Sequence, residues 1–182
     1  MNLSNNNTNL DEENWQLIEL SKVTDKIIKQ LVENLNKNLS ENFYISFESL
    51  LKIGKKAKSI IVDELNELEE THNFRKDMLK YLLTIIEDKE LNLPLVSQLY
   101  HPDFIIRART LMRINENYDN KYLKFVLPLL GDPDDSVRWA LINLIEEQNV
   151  YQEPYVEDKL NKRLKKEPNG VIRKKIKKLI LK

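Results

Sequence analysis

Hydrophobic residues recur along this chain at three- and four-residue spacings, which is the period of an α-helix. The longest run lies near the N-terminus, where Leu17, Leu20, Val23, Ile27 and Leu31 fall on one helical face. Similar runs continue to the C-terminus, and no segment shows the strict two-residue alternation of a half-buried strand. The pattern therefore predicts an all-α fold.

Ten helices follow from the periodicity and its interruptions. They are predicted near residues 11–37, 41–53, 56–70, 72–87, 92–100, 102–116, 120–130, 133–147, 152–166 and 168–181. Gly54 lies where the helix over 41–53 needs a residue with positive φ to end it. Pro128 is expected to bend the helix over 120–130, because proline removes a main-chain hydrogen bond. Residues 1–10 are polar and Asn-rich and are predicted to be disordered.

A short element recurs with a period near 32 residues. It consists of Pro, then Asp or Asn, then two or three further residues, an apolar residue and Arg, and it ends at Arg107, Arg138 and Arg173. Stepping back 32 residues from Arg107 gives Phe74 and Arg75 without the Pro. Apolar residues follow these arginines on one helical face, so each element begins a helix. Asp132, before Pro133, is the expected N-cap of its helix.

The helices group into five two-helix units, which together form a single predicted domain over residues 11–182. The predicted units span residues 11–53, 54–87, 88–117, 118–148 and 149–182. The first and last units are atypical, as the terminal units of a repeat array usually are.

The segments Leu129–Arg138 (LLGDPDDSVR) and Leu50–Ala57 (LLKIGKKA), with their shifted copies, resemble HEAT-type helical repeats. Such repeats include the HEAT-like units named after phycobilisome lyases. The resemblance covers residues 41–182 well and 11–40 weakly. It implies an armadillo-like, right-handed α-α superhelix (an α-solenoid) in which the second helix of each unit lines a concave surface.

The resemblance also implies a structural ladder in which an Asp near each turn and the following Arg join neighbouring repeats. Its members here are Arg75, Asp103, Arg107, Asp134, Arg138 and Arg173. Asn169 replaces the Asp beside Arg173. An Arg four residues after an Asp on one helix could also pair locally. The alternative is a row of arginines that binds an anion.

Positions one and five residues after each Arg lie next to each other on the helix surface. In the HEAT geometry they would form a binding stripe on the concave side. Its members are Lys76, Lys80, Ala108, Met112, Trp139, Asn143, Lys174 and Lys178. Trp139 is the candidate binding anchor. The alternative is that it packs against the helix of a neighbouring unit. Trp15 is expected to staple the N-terminal cap.

Composition excludes several classes of chemistry. The chain has 29 basic and 29 acidic residues, no Cys, three Gly and two His. A uniformly basic nucleic-acid binder, thiol catalysis, Cys-ligated zinc and a Gly-rich phosphate loop are therefore excluded. His101 is expected to cap a turn, and neither it nor His72 has a partner at a catalytic spacing. We expect no catalytic residue, no metal site and no cofactor.

Charge is distributed unevenly. Residues 159–182 hold eleven basic residues and one acidic residue, a net charge of +10, so residues 1–158 carry −10. This basic segment could meet nucleic acid, an anionic surface or an acidic protein. The alternative is a capping face whose lysines prevent end-to-end stacking of the array.

These features predict a non-enzymatic module, an adaptor or scaffold that binds a protein or peptide partner on its concave surface. The alternative is a nucleic-acid-binding protein or a HEAT-like alkylpurine DNA glycosylase, partly echoed by Arg109, Arg113 and Trp139. A bilin lyase has only the repeat name in its favour. No secretory signal or membrane span is visible, so the expected location is the cytoplasm.

Overall fold

A computed structural model describes residues 23–35, 39–68, 74–87 and 93–181. The predicted tail over 1–10, the start of the first predicted helix, Trp15 and His72 lie outside these described residues. Within them, all regular structure is helical and no strand occurs. No described helix is long and apolar enough to cross a membrane. The all-α prediction is confirmed, whereas the boundaries of the five units stay a prediction.

The helices follow the predicted order with shifted ends. The α-helices are α1 (Asp25–Asn34), α2 (Glu41–Ile53), α3 (Lys58–Glu67), α4 (Phe74–Glu87), α5 (Leu93–Gln98), α6 (Phe104–Glu116), α7 (Leu123–Val126), α8 (Asp135–Glu147), α9 (Pro154–Leu164) and α10 (Gly170–Ile180). Short 3-10 segments occupy Gly54–Ala57, Asn120–Tyr122, Leu127–Gly131 and Val150–Gln152.

The helices α6, α8 and α10 begin with the same turn. Asp103, Asp134 and Asn169 are their N-caps, and each side-chain Oδ1 accepts the backbone N–H two residues later, at 2.8, 2.8 and 2.9 Å. The prediction that Asp132 caps α8 is therefore wrong. The proline of each turn precedes the N-cap, because the capping residue needs extended backbone angles and its side chain takes the first-turn N–H.

Pro128 interrupts a helix and Gly54 ends one, both at the positions that the sequence predicted. The predicted helix over 120–130 is divided into a 3-10 turn, the single α-turn α7 and a second 3-10 segment that contains Pro128. Proline has no N–H for the α-helical bond, so the chain tightens at this point. Gly54 ends α2 with a φ of 60°, and its N–H donates to Leu50 O.

The helices α6, α8 and α10 lie side by side, with α8 in the middle. The Asn115 side chain on α6 donates to Glu147 on α8, and Lys175 Nζ on α10 donates to Asn143 Oδ1 on α8. Both pairs join residues 32 positions apart, which matches the sequence period. The helix α9 packs against α10 and against the 3-10 segment over 127–131. The second helices of the last three predicted units therefore run parallel in one register.

The N-terminal helices make a contact that a linear array does not provide. The Tyr44 hydroxyl on α2 donates to Asp132 Oδ2 at 2.6 Å, although the two residues are 88 positions apart. The Phe47 ring on α2 lies 4.3 Å, centroid to centroid, from the ring of Tyr100, which follows the end of α5. In a linear array each unit touches only its neighbours. The helix α2 instead contacts Tyr100, after α5, and the turn before α8.

Candidate functional site

Arg107 occupies the first of two buried ion-pair sites that join consecutive turns. Its Nε and Nη2 donate to the two carboxylate oxygens of Asp132 at 2.8 and 2.9 Å. Its Nη1 donates to the carbonyl oxygens of His101 and Pro102, both at 2.8 Å. One guanidinium thus holds the turn before its own helix and binds the turn before the next one.

Arg138 repeats this arrangement one unit later. Its Nη1 donates to the carbonyls of Asp132 and Pro133, and its Nε and Nη2 donate to Glu167 Oε2 and Oε1 at 3.0 and 2.9 Å. Arg173 also donates to two turn carbonyls, those of Glu167 and Pro168. Such two-point, charge-assisted bonds are the strong class of hydrogen bond and fix geometry as well as charge.

Arginines therefore do join neighbouring turns, but their partners are not the carboxylates that the sequence indicated. The prediction that Asp103 and Asp134 pair with Arg107 and Arg138 is wrong. Those two aspartates use Oδ1 to cap their own helices, while each arginine turns back over its turn toward a neighbour. The actual acceptors stand six residues before the next arginine, as Asp132 does before Arg138. That constant offset is the sequence signal that could have revealed them.

Arg75 does not continue the series. Its guanidinium pairs with Glu64 on α3 at 2.5 Å, within the same predicted unit. The turn before α4 lies outside the described residues.

Tyr44 completes the first buried site and was missed by the sequence reasoning. Its hydroxyl donates to Asp132, and the Arg107 guanidinium lies 4.0 Å from its ring centroid, as in a cation–π contact. Burial, and then the neighbouring Asp132 carboxylate, raise the pKa of Tyr44 far above its usual 10. No local motif marks this tyrosine, because its partners lie far along the chain.

Glu167 is the acceptor of the second site. Burial by itself would raise its pKa, but hydrogen bonds from Arg138, Arg163 and the Asn169 N–H outweigh burial and lower the pKa from 4.5 to about 2. Arg163 Nε lies 2.7 Å from Glu167 Oε2. The carboxylate is thus held ionised in the protein interior by two guanidinium groups. Its arrangement is that of a structural joint between α8 and the α9–α10 hairpin.

The predicted stripe is brought together only in part. Met112, Lys174 and Lys178 are exposed, with 54% of Met112 accessible, whereas Trp139 and Asn143 are half-buried and Ala108 is buried. Lys76 and Lys80 lie on α4, which packs against α2 and α3, so they are not part of the α6–α8–α10 row.

Lys175, which the stripe prediction did not include, binds the centre of this row. Its Nζ lies 4.7 Å from the Trp139 ring centroid, 2.5 Å from Asn143 Oδ1 and 2.7 Å from Glu146 Oε2. Trp139 therefore contacts the helix of the neighbouring unit, which is the alternative that the sequence left open. Trp139 is half-buried and packs against the hydrophobic core, so part of its side chain stays accessible.

The basic segment divides into cations that the fold uses and cations on its surface. Lys162 pairs with Asp158, Arg163 with Glu167 and Lys175 with Glu146. The exposed lysines of α9, α10 and their connection are Lys159, Lys162, Lys165, Lys166, Lys174, Lys177 and Lys178, of which Lys162 is the one paired with Asp158. The C-terminal hairpin thus presents a cationic surface beside the stripe.

His101 lies at the turn before α6, in the described part of the chain. His101 Nδ1 accepts the backbone N–H of Asp103 at 2.9 Å, so this imidazole caps a turn. Among the residues that the structure describes, no group of three or more His, Cys, Asp or Glu side chains could hold a metal ion. The buried charges Arg107 and Asp132, and Arg138 and Glu167, are paired within the fold.

The comparisons with known proteins add no assignment. A scan against protein-family models found no match, and searches of curated proteins and of solved structures also found none.

Proposed function

We propose that this chain is a non-enzymatic HEAT-like repeat module that binds a protein or peptide partner. In this proposal α5–α10 form a short right-handed solenoid, and the exposed positions of α6, α8 and α10 form the binding surface. The observation that carries the proposal is the common register of these three helices, joined by the Arg107–Asp132 and Arg138–Glu167 pairs.

The buried ion pairs support binding because they set the spacing of the helices before a partner arrives. A preorganised surface loses little conformational entropy on association. Met112 on α6 offers an exposed, adaptable apolar contact, and the half-buried Trp139 on α8 offers an aromatic one. Met and aromatic residues are enriched in protein interfaces, and Trp is enriched among residues that contribute most to affinity.

Charge indicates the kind of partner. Lys174 and Lys178 are exposed on α10, and the other exposed lysines of the C-terminal hairpin lie on the same unit. A segment with acidic residues flanking an apolar anchor would match this surface, with the anchor near Met112 and the acids near the lysines. Complementary charge of this kind mainly raises the association rate and the specificity.

Selection from a displayed library of random peptides tests the proposal. The expected binders contain acidic residues around an aromatic or aliphatic anchor. Met112→Glu and Lys174→Glu alter exposed side chains and should each weaken binding at least about tenfold, the loss of one well-placed contact. The matched control is Tyr155→Ala, because Tyr155 is an exposed apolar side chain on α9. Failure to select any binder, or binding that both charge changes leave intact, would contradict the proposal.

Nucleic acid is the second candidate, favoured by the seven exposed lysines of the C-terminal hairpin. Fluorescence anisotropy with a labelled duplex would then show binding that weakens steeply with salt, because cations released from phosphates drive such association. Release of an alkylated purine from that duplex would favour the glycosylase alternative. The protein-binding proposal expects neither result at micromolar protein and about 0.15 M salt.

A further inference from the structure

A cavity of about 600 Å³ lies away from the α6–α8–α10 row, between α2, the end of α4 and α5. This volume falls in the range of small-molecule binding sites, which are roughly 300–1,000 Å³. The cavity is bounded by helices that meet because α2 contacts Tyr100, after α5. It is therefore a product of the fold that the repeat pattern alone does not provide.

The cavity has an apolar wall and a polar end. The apolar wall consists of Leu51 on α2 with Ile85 and Ile86 on α4. Gln98 and His101, which line the cavity at the end of α5, form its donor pair. They lie close together, since the His101 N–H donates to the Gln98 carbonyl oxygen.

The hydrogen bonds that Gln98 and His101 already accept determine which of their atoms can donate to a ligand. His101 Nδ1 accepts the Asp103 N–H, so the neutral imidazole carries its proton on Nε2 and can donate there. Gln98 Oε1 accepts from Arg113 Nη1 at 3.3 Å, which leaves the NH2 group of the amide as the donor. Both side chains thus offer N–H groups to an acceptor in the cavity.

The charged residues of the lining favour an anion. Lys52 pairs with Glu48 at 2.9 Å, so these two charges offset each other. Lys55 is exposed and also lines the cavity, which leaves the lining with a net positive charge. A ligand with an acidic head and an apolar body would satisfy the donor pair, Lys55 and the apolar wall together.

We propose that this cavity binds a small amphipathic carboxylic acid. Its hydrocarbon body lies against the apolar wall, and its carboxylate accepts from the donor pair within reach of Lys55. The proposal concerns a site separate from the partner-binding surface, so either can be wrong without affecting the other.

Isothermal titration calorimetry with decanoate tests this site. The expected result is saturable one-to-one binding with a Kd between about 10 µM and 1 mM, as ligand-efficiency limits allow for a ligand of this size. Decanol and decyltrimethylammonium have the same chain with a neutral and a cationic head. Both are expected to bind at least about tenfold more weakly, because they lack the carboxylate that the donors bind.

Variants of the lining locate the binding. His101→Asn keeps a side-chain oxygen that can accept the Asp103 N–H, as the Asp132 side chain accepts the Asp134 N–H in the equivalent turn. The substitution removes the Nε2–H, so it should raise the Kd at least about tenfold. Ile86→Trp adds a bulky ring to the apolar wall, where the hydrocarbon body would lie, and should raise the Kd at least about tenfold. Lys55→Gln changes an exposed side chain, keeps the fold and should raise the Kd severalfold. Lys58→Gln is the matched control, since Lys58 pairs with Glu87 and lies outside the lining.

Two results would overturn the proposal. One is decanoate binding that is absent, or no tighter than that of the two control amphiphiles. The other is decanoate binding that both His101→Asn and Lys55→Gln leave unchanged in proteins shown by circular dichroism to be folded.

Discussion

The Arg107 guanidinium and the Asp132 carboxylate, 25 residues apart in the chain, form a buried two-point ion pair that joins consecutive turns. Arg138 and Glu167 form the same pair one unit later. Each arginine also holds the carbonyls of its own turn, so consecutive turns are connected through one side chain. This joint determines how α6, α8 and α10 are spaced, and the proposed binding surface depends on that spacing.

Removing one partner of such a pair should lower the free energy of unfolding by several kcal/mol. We expect Arg138→Met to lower the free energy of unfolding by about 3–5 kcal/mol, because Glu167 would remain as a buried charge with weaker compensation. The matched control is Lys162→Met, which breaks the exposed pair with Asp158 and should cost less than about 1 kcal/mol. Urea denaturation followed by circular dichroism measures both values. Equal losses in the two variants would contradict the assignment of Arg138 as a buried joint.

Tyr44 should make stability fall at alkaline pH. Its pKa is raised in the folded chain, so it stays protonated there while the unfolded chain ionises above its ordinary pKa of 10. Stability from this group is present below pH 10 and declines as the pH rises above it. Tyr44→Phe keeps the ring beside Arg107, should cost about 1–2 kcal/mol at neutral pH and should flatten the alkaline decline. Denaturation curves between pH 8 and about 11 test both points.

Glu167 should make stability fall in acid. Its folded pKa of about 2 lies below the ordinary 4.5, so its contribution is present above pH 4.5 and is lost as the pH falls toward 2. The difference corresponds to about 3 kcal/mol. Glu167→Gln should remove most of this contribution at pH 7 and flatten the acid limb of the stability curve. The exposed Glu157→Gln is the control, and an acid limb equally steep in Glu167→Gln would count against the joint.

Substitution by alanine at Gly54 and at Gly170 should change the stability of the chain in opposite directions. Gly54 has a φ of 60°, where an L-residue is strained, and Gly54→Ala should cost about 1–3 kcal/mol although no atom lies within 4 Å of the added Cβ. Gly170 begins α10 with helical geometry and open space around its Cβ position. Gly170→Ala should therefore stabilise the chain by about 0.4–1 kcal/mol. Thermal unfolding of both variants gives the signs, and the same sign for both would disagree with this backbone description.

The helices were predictable because their apolar faces are local information. The ends of α2, at Glu41 and Ile53, coincide with the prediction, since Ser40 caps the start and Gly54 ends the helix. The starts of α6, α8 and α10 were placed two residues too early. The prediction put proline at the first helical position, whereas in these turns proline stands before a capping Asp or Asn.

The long-range contacts were not predictable from pattern. The repeat showed that arginines recur, but not that they bind the carboxylate six residues before the next arginine. Tyr44 has no repeat equivalent that would mark it, and its partner is 88 residues away. The contact of α2 with Tyr100 and Asp132 is set by how the aromatic side chains pack, which periodicity does not encode. The cavity beside His101 follows from that packing and was therefore also missed.

The most direct test of the joint between turns is a pair of double-mutant cycles on Arg107. One cycle combines Arg107→Met with Asp132→Asn, and the other combines it with Asp103→Asn, whose side chain keeps the helix cap. We predict a coupling energy of at least about 1.5 kcal/mol for Arg107 with Asp132, and a value near zero for Arg107 with Asp103. Strong coupling to Asp103 with none to Asp132 would contradict the ion pair between consecutive turns. It would instead support local pairing of Arg107 with Asp103.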